Sequence, residues 1–451
     1  MSRVPDPSRR RLLQIAGAGA LAGAAGCLAN APESEPSCVP AVESDGDCAS
    51  YPDDVTLFQQ NLRRQAYYPE QTVPESVEVA WSFEQNAVGH TAAKSTPVPT
   101  LDGNIVFASD TGEVQVRRPD GTQVWHEQTE ATGLGFHGSP AVVGNQAYLG
   151  GYDGALYAFD VRTGERLWKT TAADLGGTLA VGSSPAFYDG TLYFIVEYGG
   201  PSSGALWAVD PVDGETRWHD DRIWGQSHPS PTIDRDTERI VVGSNDGVVY
   251  GWSFPDGEFQ WEYQAGPEGG PTGKEKAGGA FNLGAQVKGT VAAYDGKGYV
   301  GSWDHYLHCI DLTDGSRVWR FDTGDVNMSN PAIDPENGIV YTGSDSGFVW
   351  ALDAETGDVL WKEDVGGRVL GALTRTKETV LAGSYDTHLY ALDAETGERR
   401  WRVENRGRVT SGALPMDGRI YYAERGVFSN YYGDAETVLE QRGKAYCLAP
   451  A

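Results

Sequence analysis

The chain has 451 residues and a formal charge of −28, from 63 acidic and 35 basic side chains. A field of that sign repels a polyphosphate, which excludes nucleic acid as a partner, and the length holds one large domain with a full core. Lys supplies only 9 of the 35 basic residues; a Lys-poor, acidic surface suits a chain that stays soluble in strong salt, so a halophilic source is expected.

The N-terminus carries an address. Ser8-Arg9-Arg10-Arg11-Leu12-Leu13-Gln14 has the pattern of a twin-arginine export signal, followed by the small-residue apolar run from Ile15 to Ala25. That run is too short to remain as a membrane span. It ends at Ala24-Ala25-Gly26-Cys27, similar to a lipobox although Leu is usual where Ala24 stands, so Cys27 is the expected lipidation site. Residues 1–26 carry a net +3, and their removal would deepen the charge to −31.

Residues 27–76 are expected to form an acidic, disordered tether and lead-in. Positions 28–57 hold seven acidic residues and no Lys or Arg, too little apolar surface to fold alone. Leu57 to Tyr67 reads equally as a short helix or an irregular lead-in. Cys38 and Cys48 lie close enough to pair in an exported protein, or to stand as two thiols. Cys309 and Cys447 fall at a register that wants a small buried side chain.

From residue 77 onward the chain repeats itself. Ala158 to Trp168 reads Ala-Phe-Asp-Val-Arg-Thr-Gly-Glu-Arg-Leu-Trp, and the phrase returns at Ala351 to Trp361 and Ala391 to Trp401. Weaker copies end at Trp125, Trp218, Trp261 and Trp319, and a lone last strand ends at Trp81. Alternating apolar residues before the Asp predict a strand, the Asp and Gly a tight turn, and the Trp a docking face with one N–H donor. Another hairpin precedes each phrase, as in Gly150-Gly151-Tyr152-Asp153-Gly154, so each period carries four short strands. Such sheets cannot bury both faces alone and must stack radially. The last unit, Ser411 to Leu448, lacks a Trp strand, whereas the Trp81 strand lacks a unit in front of it. The two defects complement each other. The expected fold is all-β: an eight-bladed β-propeller over residues 77–451 with the N-terminal strand closing the last blade.

The phrase A-x-D-x-x-T-G-x-x-x-W resembles the tryptophan-docking motif of the PQQ-like, quinoprotein-type β-propellers. That family includes pyrroloquinoline-quinone alcohol dehydrogenases and the cofactor-free BamB-type assembly lipoproteins. Three copies match in full; those ending at Trp218 and Trp319 put Asp in place of Thr, and those ending at Trp125 and Trp261 have Arg117 and Ser253 at the strand Asp. The resemblance implies a docking role for Trp81, Trp125, Trp168, Trp218, Trp261, Trp319, Trp361 and Trp401. An enzymatic member would also need adjacent cysteines, a stacking Trp and a calcium held by acidic and amide oxygens. No adjacent Cys pair occurs in this chain, and core packing is the simpler role for Trp224 and Trp303.

Strand alternation puts the connections entering each first strand, and those joining strands two and three, on one face. Three extensions fall there: Gln264 to Gln286, Glu197 to Ser203, and Glu424 to Arg442. At the entry register stand Lys94, His137, His228, Lys288, Arg368 and Arg408, a candidate cationic channel mouth for an anionic ligand. Salt bridges to acidic neighbours explain the same residues without a ligand. The expectation is a non-catalytic monomer that binds a protein partner or small anion, held to the membrane by a lipid, with no cofactor and no metal. The alternatives are a quinone- and calcium-dependent dehydrogenase with a divergent site, or an extracellular sensor of a small anion.

Overall fold

The computed structural model describes residues 38–42, 47–88, 95–199, 204–266, 285–429 and 438–451. These form eight antiparallel sheets, each built around four strands, in a ring. The blades run 98–128, 141–169, 186–223, 232–264, 292–322, 332–364 and 374–404, and the eighth joins 414–423 and 443–450 to Val77–Asn86. Val77–Asn86 pairs antiparallel with Gly443–Pro450, setting Trp81 opposite Cys447. The ring is closed by the N-terminal strand, which removes the edge an open eighth blade would expose.

The Trp phrase works as a latch between blades. The indole N–H of Trp361 donates to the carbonyl of Ala394 at 2.9 Å, that of Trp125 to Val161 at 2.6 Å and that of Trp261 to Leu312 at 3.0 Å. At the ring junction Trp81 donates to Pro119 at 3.0 Å, and Trp401 to Pro74 at 2.8 Å. Seven of the eight indole faces lie on the turn glycine of the next blade, Trp401 being the exception. A Cβ at Gly397 would stand 2.7 Å from the Trp361 ring and one at Gly164 2.7 Å from Trp125. Their φ angles, 77° at both, also favour glycine. The turn Asp does what its position promises: Asp353 Oδ1 accepts the N–H groups of Glu355 and Thr356 at 2.9 and 2.8 Å.

The axis departs from the expected tether. Residues 38–42 and 47–76 are packed, with Cys38 and Cys48 joined in a disulfide, while residues 27–37 lie outside the described residues. Leu57 to Tyr67 is neither a helix nor a surface lead-in but a plug through the centre of the ring. Val55–Thr56 adds a strand to the innermost strand of blade 2, and Tyr67–Tyr68 pairs parallel with Arg375 and Thr376 of blade 7. Between them, the carbonyls of Leu62, Arg63, Gln65 and Ala66 accept N–H groups from Ile233, Ala293, Ile333 and Arg375 at 2.8 to 2.9 Å. The innermost strands of blades 4 to 7 offer these donors inward, and the plug satisfies them. Gln59, Gln60, Arg64 and Ala66 hold φ between 50° and 74°, a conformation that needs a surrounding structure to impose it.

Arg64 pins the plug. It is fully buried, and its guanidinium donates to the carbonyls of Phe58 at 2.9 Å, Pro231 at 3.0 Å, Pro185 at 3.3 Å and Ser184 at 3.4 Å. Burial pulls its pKa down to about 9, still charged at neutral pH. Acidic composition hid this segment's apolar and cationic half, which folds only because the ring supplies its partners. Cys309 and Cys447 are buried thiols, as their register predicts.

Candidate functional site

The plug lies toward the strand-one-to-strand-two turns, so the channel is blind at that end. On the opposite face it opens as a cavity of about 510 Å³. Phe58 of the plug lines it, together with first-strand entries of blades 2 to 6 and the hairpins of blades 2 to 4. The entries carry a repeated polar residue, mostly before a Pro: Thr96, Ser139, Ser184, Ser230, Thr290 and Asn330. Each accepts a backbone N–H from the equivalent position one blade earlier. Gly412 donates to Thr96 at 2.8 Å, Thr96 to Ser139 at 2.8 Å, Ser139 to Ser184 at 2.8 Å and Ser184 to Ser230 at 2.9 Å. Ser230 then donates to Thr290 at 3.1 Å, and Thr290 to Asn330 at 2.6 Å. This girdle rigidifies the inner strands, because each link ties two blades whose sheets do not otherwise pair at the axis. The repeated Ser-Pro and Thr-Pro pairs are its signal in the sequence.

Three of the candidate cationic residues meet in this cavity: His137, His228 and Lys288. His228 Nδ1 lies 3.0 Å from Glu197 Oε1 and 2.8 Å from the Tyr152 hydroxyl, which donates to Glu197 Oε1 at 3.3 Å. His137 packs on the Tyr152 ring with centroids 3.8 Å apart. Burial, and then the neighbouring Glu197 charge, hold the Tyr152 hydroxyl protonated far into alkali. The Lys288 ammonium sits 4.3 Å from the Trp303 ring centroid. Burial pushes its pKa down, opposed by the Glu197 charge. Trp303 thus supports a cation, while the backbone N–H of Trp224 donates to the Tyr250 hydroxyl at 3.4 Å.

Arg368 and Arg408 do not line this cavity. Arg368 is half-exposed and reaches Asp345 at 3.5 Å, in the hairpin of the preceding blade. Arg408 lies over the Tyr385 ring at 4.7 Å, beside a separate pocket of about 130 Å³ with Arg406 and Arg425. A common register therefore does not give a common direction, since each side chain turns to whichever neighbour its own blade provides. Lys94 and Cys27 lie outside the described residues, as do the tips of all three extensions, residues 200–203, 267–284 and 430–437. The sequence reading missed Tyr152, taken only as a hairpin residue, and Arg64, hidden in the ambiguous segment.

The family model of the outer membrane protein assembly factor BamB, a PQQ-like repeat family, matches residues 74–222 and 303–445. The chain belongs to this family. Among characterised BamB proteins, that of Moranella endobia is 26% identical over 279 residues, covering 58% of this chain and 66% of its own length. The chain thus spans just under two thirds of that BamB. Among solved structures, the quinohemoprotein alcohol dehydrogenase of Comamonas testosteroni superposes with a TM-score of 0.70 at 15% identity, covering 88% of this chain and 80% of that one. BamB of Moraxella catarrhalis gives 0.56 at 18% identity, covering 83% and 98%. At such identities both establish the fold alone.

The fold relationship to the dehydrogenases raises the question of a quinone and calcium. Among the described residues no group of three or more His, Cys, Asp or Glu side chains is placed to hold a metal ion. Among the described residues lining the axial cavity Glu197 is the sole carboxylate, and His228 and Tyr152 already engage it. Calcium takes six to eight oxygen ligands, so the described lining does not fit a calcium-bound quinone.

Proposed function

We propose that this BamB-family chain is a non-catalytic binding scaffold, exported by the twin-arginine route and held at the outer face of the cell membrane by a lipid on Cys27. Its rigid ring presents the loop-elaborated face to a protein partner. The observation that carries this reading is the family match on both halves of the ring, together with an added hairpin on that face. Val427–Ser429 pairs with Val438–Gln441 outside the eight blades, and Val438 and Leu439 are solvent-exposed. An apolar, exposed hairpin on an otherwise acidic protein is suited to docking rather than to chemistry. Relatives named as assembly factors support a partner-binding role.

A photo-crosslinker at Leu439 in native membranes should yield a discrete adduct that the same group at Val359, on the outer rim, does not form. Equal labelling at the two sites, or none at Leu439, would sink the docking face. Cys27→Ser should release the chain from membranes; retention would remove the lipid anchor. The halophilic reading requires the melting temperature to climb between dilute and molar salt, as the Debye length shrinks to about 3 Å. Added pyrroloquinoline quinone and calcium should leave the purified chain without a bound chromophore; a stoichiometric one with dye-linked alcohol oxidation would restore the dehydrogenase.

A further inference from the structure

We propose that the blind axial cavity is a binding site for a small organic monocarboxylate, with Lys288 as its charge partner. Three independent observations converge. Lys288 is a desolvated amine on the cavity wall, supported from one side by Trp303 and facing the enclosed space. Behind the floor lies a second cation, since Arg64 bonds the carbonyls of Phe58 and Ser184, both of which line the cavity. The guanidinium has carbonyl oxygens as its hydrogen-bond partners; they offset part of its charge, and the remainder adds a positive background beneath the floor.

The hydroxyl girdle adds a third element. Ser184, Ser230 and Thr290 are each fixed as acceptors of a backbone N–H from the neighbouring blade. That bond occupies the protein side of each oxygen and leaves its hydrogen to be offered toward the cavity. Hydroxyl donors beside one ammonium suit a carboxylate head better than a cation or a neutral amide. Glu197 would repel such a head, but His228 and Tyr152 hold it by contacts of 3.0 and 3.3 Å, and its charge reaches Lys288 only through space, with no hydrogen bond or ion pair between the two. The carboxylate therefore belongs on the Lys288 side.

The remaining lining selects the body. Phe58, Leu134, Leu179 and Met328 share the cavity with the polar groups. A volume of about 510 Å³ greatly exceeds an inorganic anion and suits a carbon skeleton, as ligand pockets of this size generally do. Inorganic phosphate would leave the apolar side unfilled, and one wall cation matches one negative charge. The inference rests on the cavity and not on a protein partner, so loss of the Leu439 adduct and loss of ligand binding are separate outcomes.

The test uses the full chain in molar potassium chloride, titrated with benzoate, its neutral isostere benzamide, and inorganic phosphate, read by tryptophan fluorescence. Benzoate should bind saturably and at least about tenfold more tightly than benzamide or phosphate, as expected for a charge-assisted contact. Lys288→Gln should weaken benzoate by about tenfold or more, and Lys288→Arg should restore much of it. Leu179→Trp, at an exposed position on the lip, should block entry without touching Lys288, and keeps the test open should Lys288→Gln not fold. Absent or non-saturable benzoate binding, equal affinity for benzamide, preference for phosphate, or indifference to both Lys288→Gln and Leu179→Trp would each overturn the proposal.

Discussion

The rim and the axis of this propeller are held together by opposite strategies. At the rim one device is used around the ring: an indole N–H on a carbonyl, its ring on a glycine of the next blade. At the axis a polar girdle repeats from blade to blade, but what fills the channel does not. A single non-repeating segment, 55–68, takes one inward N–H from each of blades 4 to 7 on its own carbonyls, and a single Arg64 joins four further carbonyls. The rim is quasi-one-dimensional, each latch needing only its neighbour, whereas the plug couples many blades at once. Stability at the rim should therefore be distributed, and at the axis concentrated.

Two truncations separate these contributions most sharply. A chain beginning after residue 90 loses both the plug and the closing strand Val77–Asn86, and should aggregate or lose cooperative unfolding. A chain beginning at residue 72 keeps Pro74 and the closing strand but lacks the plug. It should still unfold cooperatively, with the melting temperature lowered by roughly 10 °C or more. Identical melting of both truncations and the parent would mean that neither region matters as argued.

Arg64→Met asks whether the axial pin is as concentrated as it looks. The substitution leaves the carbonyls of Phe58 and Pro231 without their short guanidinium bonds. Relief of the buried charge offsets part of that loss, leaving a cost of about 3 kcal/mol in denaturant unfolding. A change smaller than that of a single rim latch would invert the comparison.

A rim latch is probed by Gly397→Ala against Gly418→Ala. Both glycines have positive φ, 77° and 71°, but an added Cβ meets the Trp361 ring at 2.7 Å in the first and nothing within 4 Å in the second. The backbone term is common to both, about 1 kcal/mol, and overpacking adds roughly 1–2 kcal/mol at Gly397 alone. Equal effects at the two sites would show that the indole yields freely.

The most local effect expected is at Asp110, in the first blade's hairpin. Where the residue four positions on is Tyr, as at Asp246 and Tyr250, the hydroxyl donates to the carboxylate at 2.6 Å. Asp110 has Val114 there and instead accepts the N–H groups of Ala87 and Val88 at 2.8 and 3.1 Å. Burial raises its pKa to about 6, against the lowering effect of those N–H groups and of Arg425 and Arg442. The folded chain thus binds this proton more tightly than the unfolded chain. Its contribution to stability is intact below about pH 4 and is lost as pH rises through about 6. Relative to Asp110→Asn, the parent should lose about 2 kcal/mol over that window, measured as the pH dependence of the stability difference. A difference that stays flat from pH 4 to 7 would place Asp110 at an ordinary carboxylate value.

The amino-acid sequence by itself determined the ring: blade number, strand order, the turn chemistry of Asp353 and Gly397, and closure through Trp81. These rest on local patterns, alternation, Asp and Gly in turns, and a Trp at a fixed offset, and repetition multiplies each signal eightfold. It also marked His137, His228 and Lys288 by register, yet the same register included Arg368 and Arg408, which turn elsewhere. The tertiary structure alone decided the axis. Nothing in the order Phe58-Gln59-Gln60-Asn61-Leu62-Arg63-Arg64 says that its partners stand at Ser184, Pro231, Ala293 and Pro331, more than a hundred residues away. Segment 55–68 has no periodicity because it packs against no regular surface of its own. Its conformation is imposed by inward-facing backbone groups that exist only once the ring has closed.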